Sequence, residues 1–371
     1  MRTSCALLIA TLLLSALIEN AQTGGKEEDE ALPYTQEEVI FSNKEVTLAG
    51  ALTLPQTPGP HPAVVLLHGS GPLNRDQEAF GMKPFWIIAD HLTRKGVAVL
   101  RYDSRGVGGS SGAAYQYTIS DVSDDALAAI RYLKTRNDIN PHQIGLCGQS
   151  QGGAVAPLAA SRSADVAFLI CLAGLGLRGE EAHIVQMTSI ARADGASERE
   201  IEELVEDLKR IISLIRGGTN VAEIRPVITT MLKNQLVSMS PKSEKQLSTS
   251  DEAVNSHIEC VVSLYNSPWF RYFIDYDPKP ALKLVDCPVL LLFGGLDTQV
   301  PMEMHSVAMV DALKEGGNDD YTLTTIPKAN HQFQRALTGS PSEYMQLEKE
   351  FVAGFLQYVS DWILERVDVV N

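Results

Sequence analysis

The sequence predicts an α/β fold, a mostly parallel sheet with helices on both faces and a helical lid insertion. Three observations predict it. Short apolar runs, "AVVLLHG", "VAVLRYD", "QIGLCG" and "DVAFLICLAG", have the composition of strands buried on both faces. Helical patterns such as "FWIIADHLTRKG" and "SDDALAAIRYLKTR" fall between those runs, and alternation of strand and helix builds a parallel sheet. The alternation stops near Leu177 and resumes at "PVLLLFGG" from Pro288, so a long segment interrupts the sheet.

In chain order, "MRTSCALLIATLLLSALIENAQTGG" has Arg2, an apolar run of 13 residues from Ala6 to Ile18, then a polar stretch with Ala21 as the cleavage residue. That is the layout of a secretory signal, and the run is shorter than the roughly 20 residues of a bilayer span. Residues 1–21 are expected to be removed on export, giving a secreted or periplasmic protein with no stable membrane span. The charged, turn-prone "KEEDEALPYTQEE" reads as a tether, placed at residues 22–36. "EVIFS" and "EVTLAGALTLP" on either side of "NK" form an opening hairpin. Residues 37–177 and 276–371 are assigned to the core and 178–275 to the lid. Within the lid, Ile201, Leu204, Val205, Leu208, Ile211, Ile212 and Ile215 fall on one helical stripe of a charged segment. "PVLLLFGG" and "DYTLTTIP" complete the sheet, and a last helix runs through "EKEFVAGFLQYVSDWILERV".

The 371 residues contain no fixed-period repeat and carry a net charge of −15. Such a chain is repelled by nucleic acid and gains nothing at an anionic membrane, so a small-molecule substrate fits better. Beyond the signal remain Cys147, Cys171, Cys260 and Cys287. Export permits disulfides, but Cys147 and Cys171 sit inside strand-like runs, where a buried free thiol is the expected state. No CxxC spacing occurs, so no cysteine-ligated metal is indicated and no cofactor is implied.

The chemistry concentrates in "QIGLCGQSQGGAVAP". Gly148-Gln149-Ser150-Gln151-Gly152 fits G-x-S-x-G after a strand and before a helix-capable run, the context of a nucleophile elbow. A serine hydroxyl attacks well only when held clear of its backbone within reach of a base. The alternative is that Ser150 caps the following helix. After Ser150 the histidines are His183, His257, His305 and His331. The first two lie in the insertion and His305 in a helical stretch, whereas His331 follows a strand in the turn-rich "IPKANHQF". The acid expected between them is Asp297 in "PVLLLFGGLDTQVP", just past a strand, where it can orient the imidazole. A turn aspartate bonding its own backbone is the other reading. Oxyanion donors are assigned to the N–H of Gln151 and of Ser70 in "HGSG", with Gly71 as the fallback. "RYDSRGVGGSSG" lacks the lysine of a phosphate loop and shapes the edge of the site, with Asp103 and Arg105 in structural pairing.

Together "HGSG", "RYDSRGVGGSSG", "GQSQGG", "GGLDTQVP" and "NHQF", in that order, resemble the α/β-hydrolase family, from about Val39 to Val367. Within it the chain is most similar to exported bacterial esterases of the serine aminopeptidase and acyl-esterase branches, which often carry "HGSGP" and a "PWFRYF…YDP" segment, here Pro268 to Pro278. Before the serine these relatives often have histidine, and this chain has Gln149. The resemblance implies hydrolysis of an ester or other acyl substrate through an acyl-enzyme on Ser150, with Asp297 and His331 completing the triad. It also places Trp269, Phe270 and Phe273 at the pocket wall, or in the seam between lid and core. An aminopeptidase would use the same triad with a lid carboxylate, for which Glu202, Glu203 and Glu206 are candidates unless they are a solvated helix face. A thioesterase and a non-catalytic binding module of the same fold are the remaining alternatives.

Overall fold

A computed structural model describes residues 32–218, 221–238 and 251–369. The segment read as a signal lies outside them. Tyr34–Asn43 (β1) and Val46–Pro55 (β2) form the opening antiparallel hairpin, turning through Lys44 at φ 53°. β1 takes in the last residues of the segment read as a tether. Tyr34 is the reason, because its ring is buried and its hydroxyl donates to Asp90 Oδ1 at 2.8 Å.

Six further strands follow: His61–Leu67 (β3), Ala98–Tyr102 (β4), Ile139–Gln149 (β5), Leu169–Leu172 (β6), Val289–Gly294 (β7) and Tyr321–Ile326 (β8). They form an eight-stranded sheet in the order β1-β2-β4-β3-β5-β6-β7-β8, parallel from β4 onward. β3, β4, β6 and β7 are buried along their whole length, and apart from His61 in β3 and Arg101 in β4, which pairs with Asp76, their sequences are apolar. Pro84–Arg94 (α1), Ile119–Lys134 (α2) and Gly152–Ala160 (α3) cross between the first strands. α2 starts where its runs of alanine and leucine can begin, because Thr118 and Asp121 close a capping box.

Between β6 and β7 the chain leaves the sheet and runs through Gly179–Ala193 (α4), Glu198–Arg216 (α5), Val221–Ser238 (α6), Asp251–Asn266 (α7), Pro268–Phe273 (α8) and Lys279–Leu282 (α9). Ser197 and Glu200 cap α5 reciprocally. Its apolar stripe is buried except at Val205, which is half-buried. Met302–Gly316 (α10) and Phe355–Leu364 (α11) follow β7 and β8. The last helix is shorter than its sequence pattern, since Gly354 at φ 87° interrupts the backbone immediately before Phe355. Cys147, Cys171 and Cys287 are buried free thiols, and no disulfide occurs among the described residues. Nor is any helix among them long and apolar enough to cross a membrane.

Candidate active site

Three strand ends supply the candidate catalytic side chains. β5 ends at Gln149 and α3 begins at Gly152, so Ser150 must reverse the chain almost at once. It does so at φ 57°, in the left-handed region that costs a non-glycine residue about 1–2 kcal/mol, and its N–H donates to Leu172 O at 2.8 Å. The turn closes only because its neighbours lack side chains. A Cβ on Gly148 would lie 2.0 Å from Gly152 O, and one on Gly152 would lie 2.1 Å from Leu67 O. Ser150 is half-buried on the cleft wall, and its hydroxyl makes no hydrogen bond among the described residues. The helix-cap reading therefore lapses, since α3 has no side-chain cap bond at its start.

Past β7, the Asp297 carboxylate is held by three donors. Oδ1 accepts from the N–H groups of Gln299 (2.8 Å) and Val300 (2.9 Å), and Oδ2 accepts from His331 Nδ1 at 2.8 Å. Both side chains of that pair are buried, at 0% and 5% exposure. With Nδ1–H engaged by the carboxylate, Nε2 of the neutral ring is left as a proton acceptor. The His331 loop is shaped by Asn330, fully buried, whose Oδ1 accepts from the N–H groups of Gln332 and Gln334 at 2.9 Å each. Sequence reading passed over Asn330, although an Asn beside the histidine in a short loop is a turn signal. Two of the other histidines after Ser150 are otherwise occupied. His305 Nδ1 accepts from Gly176 N at 3.1 Å, and His183 Nε2 meets Tyr265 OH at 3.0 Å. Burial pushes both rings down to about 4, so each stays neutral.

A cleft lies over Ser150. Ser70 and Gln151 line it, and among the described residues neither of their N–H groups has a protein acceptor. Gly69 N–H, by contrast, is taken by Gln77 Oε1 at 2.8 Å. Gly71, the fallback donor and tentative pocket residue, lines a separate smaller cavity beside Arg105 and Tyr117, because its φ of 117° carries the chain away from the cleft. Asp103 and Arg105 are in ion pairs, but not with each other. Asp103 binds Arg75 in the loop after β3, and Arg105 binds Asp125 on α2.

Trp269, Phe270 and Phe273 line the cleft and are also buried against one another, with Trp269 stacked on Phe273, so the wall and seam readings describe one structure. Trp269 Nε1–H donates to the Gln151 side chain, joining the insertion to the residue after Ser150. His183, Gln186 and Gln299 complete the polar lining, with Gln186 Nε2 donating to Gln299 Oε1 at 3.2 Å. Of these only Gln299, two residues past Asp297, had a position that could have been read from the sequence. No carboxylate lines the cleft among the described residues. Glu202, Glu203 and Glu206 lie on the exposed face of α5, with Glu203 accepting from Arg199 at 2.9 Å.

A family model described as the alpha/beta hydrolase family matches residues 64–346, most of the chain. The chain belongs to the α/β-hydrolase family. This α/β hydrolase is 27% identical over 329 residues to esterase EstD of Thermotoga maritima, covering 86% of this chain and 67% of that one. It is 31% identical over 124 residues to the uncharacterized protein YfhR of Escherichia coli, 33% of this chain and 40% of the other. Among solved structures it shares its fold with the Pyrococcus furiosus esterase PF2001 (TM-score 0.50, 16% identity, 82% of this chain and 87% of that one). Hypothetical protein PA2218 of Pseudomonas aeruginosa has the same fold (TM-score 0.55, 15% identity, 94% and 99% covered).

Proposed function

We propose that this α/β hydrolase cleaves carboxylic esters through an acyl-enzyme on Ser150. The observation that supports the reading is the buried Asp297–His331 pair, bonded at 2.8 Å, with the His331 carbonyl tied at 3.1 Å to Gln149, the residue before a serine held at φ 57° with no hydroxyl bond among the described residues. Ser150 Oγ attacks the ester carbonyl while His331 Nε2 takes its proton, and the Asp297 carboxylate stabilises the imidazolium. The developing oxyanion accepts from the N–H groups of Gln151 and Ser70, worth about 10²–10³ each in turnover. The alkoxide leaves with the proton from His331. Water, deprotonated by the same nitrogen, then hydrolyses the acyl-enzyme.

The cleft supports a neutral substrate with an apolar or aromatic acyl group. Its walls are aromatic, its polar groups are neutral amides, hydroxyls and a neutral histidine, and among the described residues no carboxylate stands ready for a substrate ammonium. That composition favours esterase over aminopeptidase. A related esterase, EstD, is consistent with the choice. The test compares p-nitrophenyl acyl esters with aminoacyl anilides and thioesters, with fluorophosphonate labelling of wild type and Ser150→Ala. Turnover of anilides above esters, or labelling that survives Ser150→Ala, refutes the proposal.

A further inference from the structure

Two buried glutamines connect segments that the chemistry needs to keep in register. Gly69 N–H donates to Gln77 Oε1 at 2.8 Å, Gln77 Nε2 donates to Gln149 Oε1 at 3.1 Å, and Gln149 Nε2 donates to His331 O at 3.1 Å. Gln77 and Gln149 are 2% and 6% exposed, so water does not substitute for these bonds. The direction of the chain is set by its ends. A backbone N–H only donates and a backbone carbonyl only accepts, so both amides have one possible orientation. A side chain must offer a donor and an acceptor on one head group to pass the bond along, which an ionised carboxylate or an ammonium does not.

We propose that Gln77 and Gln149 are positioning residues for the hydrolysis assigned above, and the proposal rests on that reading of Ser150 and His331. Their relay ties the loop that carries Ser70 to the loop that carries His331, through the residue before Ser150. At one end, Gln77 engages Gly69 N–H and so orients the peptide that precedes the Ser70 donor. Gly69 fits against the relay so closely that a Cβ there would lie 3.0 Å from Gln149 Oε1. At the other end, His331 is gripped twice, by Asp297 on its ring and by Gln149 on its carbonyl. Gln77 itself is held at φ 51°, with its N–H on Asn74 O at 2.8 Å, a left-handed conformation that points to a constrained loop. The relay does not touch substrate. It acts by holding donor and base in place, and a misplacement of about 1 Å is enough to cost about 10²-fold in rate.

The test uses the full chain and Gln77→Leu, Gln149→Leu and the double variant, which keep most of the volume and remove the amides. Turnover of p-nitrophenyl butyrate is measured per site titrated with a fluorophosphonate, so unfolded protein is not counted, and melting temperatures are recorded. Each single variant is expected to lose about 10–100-fold in kcat with KM changed less than about threefold. The double variant is expected to fall no more than about threefold below the worse single, because one broken link already opens the relay. Single variants with kcat per site within twofold of wild type overturn the inference, whatever their melting temperatures. So do losses that multiply in the double variant. Ser150→Ala in the same assay separates the two claims: if it keeps wild-type turnover, both fall, and if it is inactive while the glutamine variants are unaffected, only the relay falls.

Discussion

The two glycines and the serine of the elbow respond to substitution in opposite ways, and the structure supplies the sizes. Gly148→Ala puts a Cβ 2.0 Å from Gly152 O, 2.2 Å from Gly152 C and 2.7 Å from Gly153 N. All three are backbone atoms of a packed turn, so no flexible side chain can move aside. Overpacking of an ordinary core costs about 1–3 kcal/mol, and a clash with main chain on this scale is expected to reach at least about 3 kcal/mol. At about 1.3 °C per kcal/mol for a chain of this size, the melting temperature drops by about 4 °C or more. Ser150→Ala keeps the Cβ, the φ of 57° and every hydrogen bond of the turn, because the hydroxyl makes none. Its melting temperature stays within about 2 °C while kcat falls roughly 10⁴–10⁶-fold. Ser150→Gly removes about 1–2 kcal/mol of left-handed strain and costs about 0.5–1 kcal/mol of backbone entropy, so it melts no lower than wild type and is equally inactive. The assay is calorimetry with p-nitrophenyl ester turnover on all three variants. Wild-type melting and turnover in Gly148→Ala, or more than about a tenth of wild-type activity in Ser150→Ala, would refute the argument.

Other expectations follow from the same structure. Phe270→Ala and Phe273→Ala should change the ratio of kcat/KM for short and long acyl esters by about tenfold, as a methylene in an apolar pocket is worth about 1–3 kcal/mol. An unchanged ratio with a large fall in melting temperature would leave these rings with a packing role alone. Burial lowers the folded pKa of His68, His183 and His305 from 6.5 to about 4, so the unfolded chain binds the extra protons. The stability from keeping each ring neutral is complete above pH 6.5 and is lost as pH falls through that value toward 4, about 2 kcal/mol per ring between pH 7 and pH 5. Urea midpoints at the two pH values test this, and His183→Gln should show a shallower slope; an identical slope would count against it. Export predicts a mature chain beginning near Gln22, read by N-terminal sequencing of protein from its native host, and recovery of intact Met1 in the cytoplasm would sink that expectation.

Chain-local physics made most of the architecture readable. Strands buried on both faces are predominantly apolar, which exposes β3, β4, β6 and β7 as runs, and the close backbone approaches where β5 turns into α3 require glycine at 148 and 152. Ser150, Asp297 and His331 each sit just past a strand, so their neighbourhoods were visible even though their contacts were not. The interruption between β6 and β7 was visible for the same reason. Ends of elements were less legible where a single residue decides them, as Tyr34 does for β1 and Gly354 for α11.

Partnership between loops is a different kind of quantity. Asp103 pairs with Arg75, 28 residues away, and Arg105 pairs with Asp125 on α2, 20 residues away, so neither partner is a neighbour in sequence. Gly71 lines another cavity because one positive φ turns it aside. The lining by His183 and Gln186 depends on how α4 lies over the sheet, and no periodicity encodes that. The polar role of Gln149 was equally invisible, since its partners are Gln77, 72 residues away, and His331, 182 residues away. A hydrogen bond is satisfied by whichever donor the folded backbone delivers within about 3 Å, so its partner exists only once the long-range packing does.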